Sequence, residues 1–222
     1  MVEGPILIAE AIAGGWDVEA QFVAPGGEPV PGSDAAILLL AAHVMERVAS
    51  TESPQPVMAV VRIREQRVAD LAGASLVVVC DRIADPGNLG TILRSAEAAG
   101  ADGVVLITGS VDPYNSKVVR ASAGALFHVP IVTDVSLPEL RELAELGLPL
   151  VGTSSHTGTP YTAADLAAPF ALVMGSEAHG VDEQIPIDSW ITIPHGGRAE
   201  SLNVAMAATV VVFEAARQRR AG

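Results

Sequence analysis

Leu172-Val-Met-Gly-Ser-Glu-Ala-His-Gly180 and Ile193-Pro-His-Gly-Gly-Arg-Ala-Glu-Ser-Leu-Asn-Val204 are the segments on which the fold turns. Each opens on a short apolar run, as a buried strand does, and breaks into glycines and small polar residues, as a loop does. Two such breaks can bring their loops together beside one ligand. Working back toward the N-terminus, the same alternation continues to Leu76. Strands are predicted near 76–80, 103–107, 129–132, 149–152, 170–174 and 190–193, and helices near 89–99, 116–123, 136–146 and 201–219. Such a pattern predicts an α/β domain with a mostly parallel sheet covered by helices on both faces. Its binding loops belong at the carboxyl ends of the strands. The helix pattern alone gives an ordinary open, doubly wound sheet, because knotted chains are rare.

Ahead of this domain, the pattern reads helix (Ile6 to Ala13), strand (Ala20 to Val23), helix (Ala35 to Val48) and strand (Met58 to Arg62). Pro25, Gly26, Gly27, Pro29, Pro31 and Gly32 mark one loop, and Ser53, Pro54 and Pro56 the next. This is a small α/β module, followed by a short charged stretch that reads as a linker.

The chain has 222 residues, half of them apolar, enough for a sizeable core in one large domain or two small ones. No run approaches the ~20 apolar residues of a membrane span. Glu3, Gly4 and Pro5 stand where a secretory leader would have a basic start and an apolar segment. The expectation is a cytoplasmic protein with no membrane partner. Cys80, the only cysteine, closes the apolar run Leu76 to Cys80 and reads as a small buried hydrophobe. The five histidines lie far apart, so no metal site is expected. A net charge of −13 argues against nonspecific nucleic-acid binding. The distribution tempers this: Pro113 to Thr133 contains no acid but does contain Lys117, Arg120 and His128, and Arg82, Arg94 and Arg198 sit in or beside glycine-rich loops. The picture is a small basic site on an acidic body, with affinity drawn from shape.

A third segment is Asp85-Pro-Gly-Asn-Leu-Gly-Thr-Ile-Leu-Arg-Ser-Ala96. Leu89, Ile92, Leu93 and Ala96 share one helical face, with Asn88 as N-cap and Gly100 as the stop, so Arg94 points away from the buried stripe. Taken alone, Arg94 reads as a solvated arginine, Gly175 as a strand-ending glycine, Glu177 as a loop acid and Ser201 as the N-cap of the last helix. Asn203 would be a mild misfit inside that helix. Gly87-Asn-Leu-Gly90 lacks the G-x-G-x-x-G spacing of a dinucleotide turn, which counts against a nicotinamide-dependent dehydrogenase.

Together and in this order, the three segments resemble the signature motifs of the SpoU (TrmH) family of RNA 2′-O-ribose methyltransferases. The resemblance runs from about Leu76 to Arg219. It implies a trefoil-knotted methyltransferase domain over 74–222, a linker over 66–73, and an RNA-binding module over 1–65 resembling a small ribosomal protein. Family members usually have a further element before Val2-Glu-Gly-Pro5, so the module is expected to be truncated or cut at its start. The resemblance also implies S-adenosylmethionine as cofactor, a homodimer with a shared active site, and RNA as substrate: ribosomal RNA first, transfer RNA second, with a noncatalytic RNA-binding relative as the third reading.

By the same resemblance Arg94, Asn88, Glu177, Ser201 and Asn203 form the catalytic group, with Glu177 pairing with Arg94 or bracing the cofactor loop. Thr153, Gly175, Ile193 and Leu202 hold the cofactor. Lys117, Arg120 and Arg198 are the RNA-backbone candidates, although a solvated helix face explains Lys117 and Arg120 equally well. His195 follows Pro194 where the family commonly has methionine. A guanidinium is normally protonated, so Arg94 either acts as a base through strong perturbation or stays cationic and stabilises the developing alkoxide. The sequence leaves both open.

Overall fold

The computed structural model describes residues 1–49, 53–198 and 200–221. In chain order the elements are β1 (Val2–Glu3), α1 (Pro5–Ala13), β2 (Val18–Val23), β3 (Ala36–Leu39), α2 (Ala42–Val48), β4 (Val57–Val61) and β5 (Leu76–Cys80). Then come α3 (Pro86–Ala99), β6 (Gly103–Ile107), α4 (Ser116–Ala121), β7 (Ile131–Val135), α5 (Leu137–Leu140) and α6 (Glu142–Glu145). The chain closes with β8 (Leu150–Thr153), β9 (Thr159–Pro160), β10 (Phe170–Met174), β11 (Ser189–Thr192) and α7 (Val204–Ala221).

The seven-stranded sheet runs β7-β6-β5-β10-β8-β11-β9, and every pairing in it is parallel. Its central strands are apolar at every position because both faces are covered. Leu76, Val78 and Cys80 of β5 enter the core shared with α3, α4 and α7, while Val77 and Val79 enter a second core shared with α5 and α6. Burying a valine or leucine in this way contributes about 1.5–3 kcal/mol. Cys80 is fully buried, and that burial pushes its thiol pKa up to about 12, so it behaves as the apolar residue expected.

The sheet is not the ordinary doubly wound one. An ordinary sheet would place β8 beside β5; here β10 lies between them, paired with both. The chain therefore leaves a gap beside β5 and fills it later. The loops after β5 and β10 consequently adjoin at the point where strand order reverses.

The smaller sheet, β1-β4-β2-β3, mixes antiparallel pairs with the parallel pair β2–β3. The helix expected over Ala35 to Val48 is in fact strand β3 followed by the short helix α2. Backbone pairing of Ala36 to Leu39 with Ala20 to Val23 overrides the apolar run's helical reading. The module is docked: Ile8 and Ala11 of α1 share a core with Leu126 and Phe127, and Trp16 Nε1 donates to the Phe127 carbonyl at 2.8 Å. The stretch expected as a linker carries a 3-10 turn, Val68–Leu71, whose Val68 and Leu71 are buried in the second core.

Three helix boundaries differ from expectation, each for a local reason. The helix expected over 136–146 is two short ones meeting at Arg141. The helix expected over 116–123 stops at Ala121, ahead of left-handed backbone at Ala123 and Gly124. The last helix begins at Val204, not at residue 201.

The end of α7 is clasped. Arg219 donates to the carbonyls of Leu166, Ala168 and Ser75 and to Ser75 Oγ, at 2.8–3.1 Å, and its Cζ sits 5.5 Å from the Phe170 ring centroid. Asp102 completes the arrangement by accepting from Ser75 N, Ser75 Oγ and Leu76 N. Burial raises the Asp102 pKa, but these hydrogen bonds and the Arg219 charge outweigh it and hold the carboxyl below its ordinary value. The group thus stabilises the fold above the unfolded aspartate pKa of ~3.9, and that contribution is lost as pH falls through the lower folded value. Urea unfolding followed from pH 6 down to pH 2 is expected to show a shallower acid loss in Asp102→Asn than in the parent chain.

Candidate active site

Asp85, not Asn88, caps α3: its Oδ1 accepts from Asn88 N at 2.8 Å. Asp85 stands directly before the first helical residue and reaches the amide of the third, as an N-cap does, and this leaves the Asn88 side chain available. Likewise Asn203, not Ser201, caps α7, with Oδ1 accepting from Ala205 N at 2.9 Å and Met206 N at 3.2 Å. Asn203 is therefore no misfit inside a helix; it stands at the helix entrance.

The two asparagines meet. Asn203 Nδ2 donates to Asn88 Oδ1 at 2.9 Å, and Asn88 Nδ2 donates to Glu177 Oε1 at 2.6 Å. The direction of this chain is fixed chemically. An ionised Glu177 can only accept, so Asn88 presents its nitrogen to Glu177 and its oxygen to Asn203, whose own oxygen is left for the helix amides. One residue from each of the three sequence segments thus takes part in a single hydrogen-bond relay.

Gly175 has a reason other than the expected one. A Cβ there would lie 2.1 Å from Gly180 C and from Val181 N, so the space is taken by the chain's own backbone. The loop folds back as a tight hairpin, with Ser176 and Gly180 exchanging two backbone hydrogen bonds of 2.9–3.0 Å and His179 N donating to Ser176 Oγ. The hairpin presents Glu177 at an exposed tip.

Asp81 anchors this loop from below. It is fully buried at the end of β5, accepts from Asp182 N at 2.8 Å, and pairs with Arg82, which also bridges to Asp182 at 3.0 Å. Arg82 adopts left-handed backbone, φ 52°, to make both contacts, and its hydrogen bond to Asp81 raises its pKa. Sequence reading missed Asp81. The available signal was an acid directly following a wholly apolar strand. Replacing it with alanine leaves the Asp182 amide without its acceptor, and is expected to cost about 1–3 kcal/mol in urea unfolding.

A cleft of about 700 Å³ opens beside these loops, in the size range of small-molecule sites. Thr153, Gly175, Glu177, Ile193, Ser201, Leu202 and Asn203 all line it. Met174, Trp190 and Val204 add apolar walls. Thr153 Oγ1 is already committed to the Val173 carbonyl at 3.1 Å. His195 also lines the cleft, and its Nε2 is buried without a hydrogen-bond partner among the described residues.

Other expected residues lie elsewhere. Arg94 is exposed on α3, outside the cleft lining, and has no hydrogen bond or ion pair among the described residues. Glu177 pairs with Asn88 and not with Arg94. Lys117 is exposed on α4, whereas Arg120 is half-buried and lines a small crevice against the N-terminal module with Met1, Glu3 and Leu7. Arg198 is exposed in the loop before α7, beside Ala199, which lies outside the described residues.

An all-parallel α/β sheet with a cleft of this size beside its carboxyl-end loops places the chain in the class of α/β proteins that bind a small molecule where strand order reverses. The comparisons narrow that class. The model of the SpoU rRNA Methylase family matches residues 75–213, and the chain belongs to that family. Over 217 residues it is 36% identical to the 23S rRNA (guanosine(2553)-2′-O)-methyltransferase RlmP of Bacillus subtilis, covering 96% of this chain and 86% of that protein. It is also 36% identical over 189 residues to a 23S rRNA (uridine(2479)-2′-O)-methyltransferase of Streptomyces viridochromogenes, covering 81% of this chain and 66% of that one. Among solved structures, it superposes with TM-score 0.91 and 30% identity on the SpoU methyltransferase AviRb from Streptomyces viridochromogenes in complex with AdoMet, covering 100% of this chain and 90% of the other.

Proposed function

We propose that this chain transfers a methyl group from S-adenosylmethionine to the 2′-hydroxyl of a ribose in ribosomal RNA. The observation that carries the reading is the relay Asn203–Asn88–Glu177, which ties all three family segments together beside the cleft. The cleft suits the cofactor: its volume, its apolar walls and its backbone-rich loops match a nucleoside with a polar tail. The buried His195 Nε2, without a partner among the described residues, adds a polar atom that a ligand in the cleft can engage. When bound, S-adenosylmethionine supplies an electrophilic methyl group. Thr153, Gly175, Ile193 and Leu202 then mark the walls that hold it, and Glu177, Asn88 and Asn203 keep the loops in register around it.

In this reading Arg94 stays cationic, orients the ribose hydroxyl and stabilises the negative charge that develops as the hydroxyl proton passes to water or an RNA phosphate. Arg94 lies outside the cleft of its own subunit, so the reading places it in the site of a second copy. The exposed Met206 and Phe213 of α7 supply an apolar surface for that dimer. Sedimentation of the purified chain tests the dimer: a monomer at micromolar concentration removes this placement of Arg94. The reading further takes the return of α7 to the 164–168 loop as the closure of a trefoil knot, residues 1–65 as the RNA-selecting module, and the cytoplasm as the place of action. No helix of the described residues is long and apolar enough to cross a membrane.

The test is transfer of tritium from labelled S-adenosylmethionine to ribosomal and transfer RNA, with nuclease mapping of labelled nucleotides. Label on a ribosomal ribose supports the proposal. Label on transfer RNA alone moves the substrate, and no label despite cofactor binding overturns catalysis.

A further inference from the structure

The acid-free stretch from Pro113 to Thr133 is not absorbed by the site described above. Tyr114 and residues 127–131 of it line a second cleft, of about 220 Å³, where the N-terminal module meets the methyltransferase domain. Trp16, Arg64 and Gln66 contribute from one side, and Tyr114, Phe127 and His128 from the other. In a chain with 26 acidic residues, no aspartate or glutamate among the described residues lines this cleft.

We infer that this cleft holds one unstacked base of the RNA substrate, an inference that rests on the proposed RNA methyltransferase function. Unpaired bases are recognised by stacking on aromatic rings or arginine and by hydrogen bonds to their edges. Both kinds of group are present and already fixed. The Arg64 Cζ lies 4.8 Å from the Trp16 ring centroid, and its guanidinium donates to the carbonyls of Gly14 and Gly15. Trp16 is itself pinned by its bond to the Phe127 carbonyl, and it packs edge-on against Phe127 at 5.5 Å and Tyr114 at 6.4 Å. The entropy of ordering these side chains is lost on folding and not on binding, which favours affinity.

The polar groups fit a base edge. Gln66 Oε1 accepts from Ile131 N at 2.7 Å, which leaves its amide nitrogen as a donor with no partner among the described residues. The Tyr114 hydroxyl also has no partner among them, and it can donate or accept. His128 is occupied by Glu10 at 2.7 Å. The volume lies below the ~300–1,000 Å³ of a drug-sized site, which limits the occupant to a single ring system. A base extruded here would set the distance between the module and the ribose presented to the catalytic loops.

Two near-isosteric variants test the inference in the full chain. Gln66→Glu keeps the acceptor for Ile131 N and replaces the free donor with a negatively charged acceptor, and Tyr114→Phe removes only the hydroxyl. Binding of fluorescent single-stranded RNA hexamers of each base, and of a duplex, is measured by anisotropy. S-adenosylmethionine affinity, melting temperature and tritium transfer to ribosomal RNA are recorded alongside. The expected result is a loss of about tenfold in hexamer affinity for each variant, with a changed preference among the four bases for Gln66→Glu. Duplex affinity and cofactor affinity should be unchanged. Hexamer binding equal to that of the parent chain overturns the base site while leaving methyl transfer standing. Equal losses for duplex and hexamer also overturn it, because they report charge or folding and not a base edge. A parent chain that neither binds RNA nor methylates it fails the functional reading first, and the base site with it.

Discussion

Arg94→Ala is expected to lower methyl transfer to ribosomal RNA by about 10²–10³-fold, the loss typical when one donor to a developing oxyanion is removed. Cofactor affinity should be unaffected, because Arg94 does not line the cleft of its own subunit. Its solvent-facing position on α3 and its lack of a partner among the described residues also predict an unchanged melting temperature. Calorimetric titration with S-adenosylmethionine, a thermal melt and the tritium assay separate the three quantities. Arg94→Lys sharpens the result: lysine keeps the charge but not the planar fork, so a partial recovery points to charge stabilisation and a complete loss to bidentate orientation. An arginine of no consequence would leave all three measurements as they were. In a mixed dimer, one copy bearing Arg94→Ala and the other a disabled cofactor cleft, activity is expected in one of the two sites if the arginine crosses the interface.

Gly175→Ala is expected to remove cofactor binding at concentrations where the parent chain is saturated. A methyl group at this position would sit 2.1 Å from two backbone atoms of Gly180 and Val181. Backbone cannot yield as a flexible side chain can, so the 176–180 hairpin must lift from the strand end. Overpacking of this kind costs about 1–3 kcal/mol, but the local consequence is larger than the global one. Lifting the hairpin moves Glu177 away from Asn88 and opens the relay to Asn203, so one methyl group disturbs all three loops. The measurement is a cofactor titration beside urea unfolding: a variant that folds and binds normally would show that the hairpin has room to spare.

Much of this architecture was legible in the residues. The central strands read correctly because a parallel strand buried on both faces is apolar at almost every position, and a polar residue or glycine follows directly where each ends. The position of β10 between β5 and β8 was not legible from the pattern, since periodicity records what each strand buries and not which neighbour it pairs with. Ala36 to Leu39 misread for a related reason: four small and aliphatic residues suit helix and strand alike, and pairing with β2 decides the matter. The site divides in the same way. Asn88, Glu177 and Asn203 could be singled out by motif, but the caps were assigned to Asn88 and Ser201 in place of Asp85 and Asn203, because a cap depends on where the first helical amide falls. Asp81 carried no motif weight, and its role appears only when Asp182, distant in sequence, is brought above it. Arg120 was named as an RNA-backbone candidate by resemblance, and its place in a crevice with Met1, Glu3 and Leu7 of the N-terminal module shows only once the two parts of the chain are packed together.

The clasp formed by Arg219 has a kinetic side. Its bonds to Ser75 join residues 144 positions apart, and β10 can pair with β5 only after the intervening chain has been laid down. Contacts of such long range require the loss of much chain entropy before they return any stabilisation, so refolding is expected to be slow for a protein of this size. Throughout that delay the wholly apolar stretches Leu76 to Cys80 and Phe170 to Met174 stay uncovered, each a segment of the kind that self-associates. The same insertion that brings two loops to one cleft thus makes newly made chains dependent on dilution, or on a folding helper, until the last helix has docked.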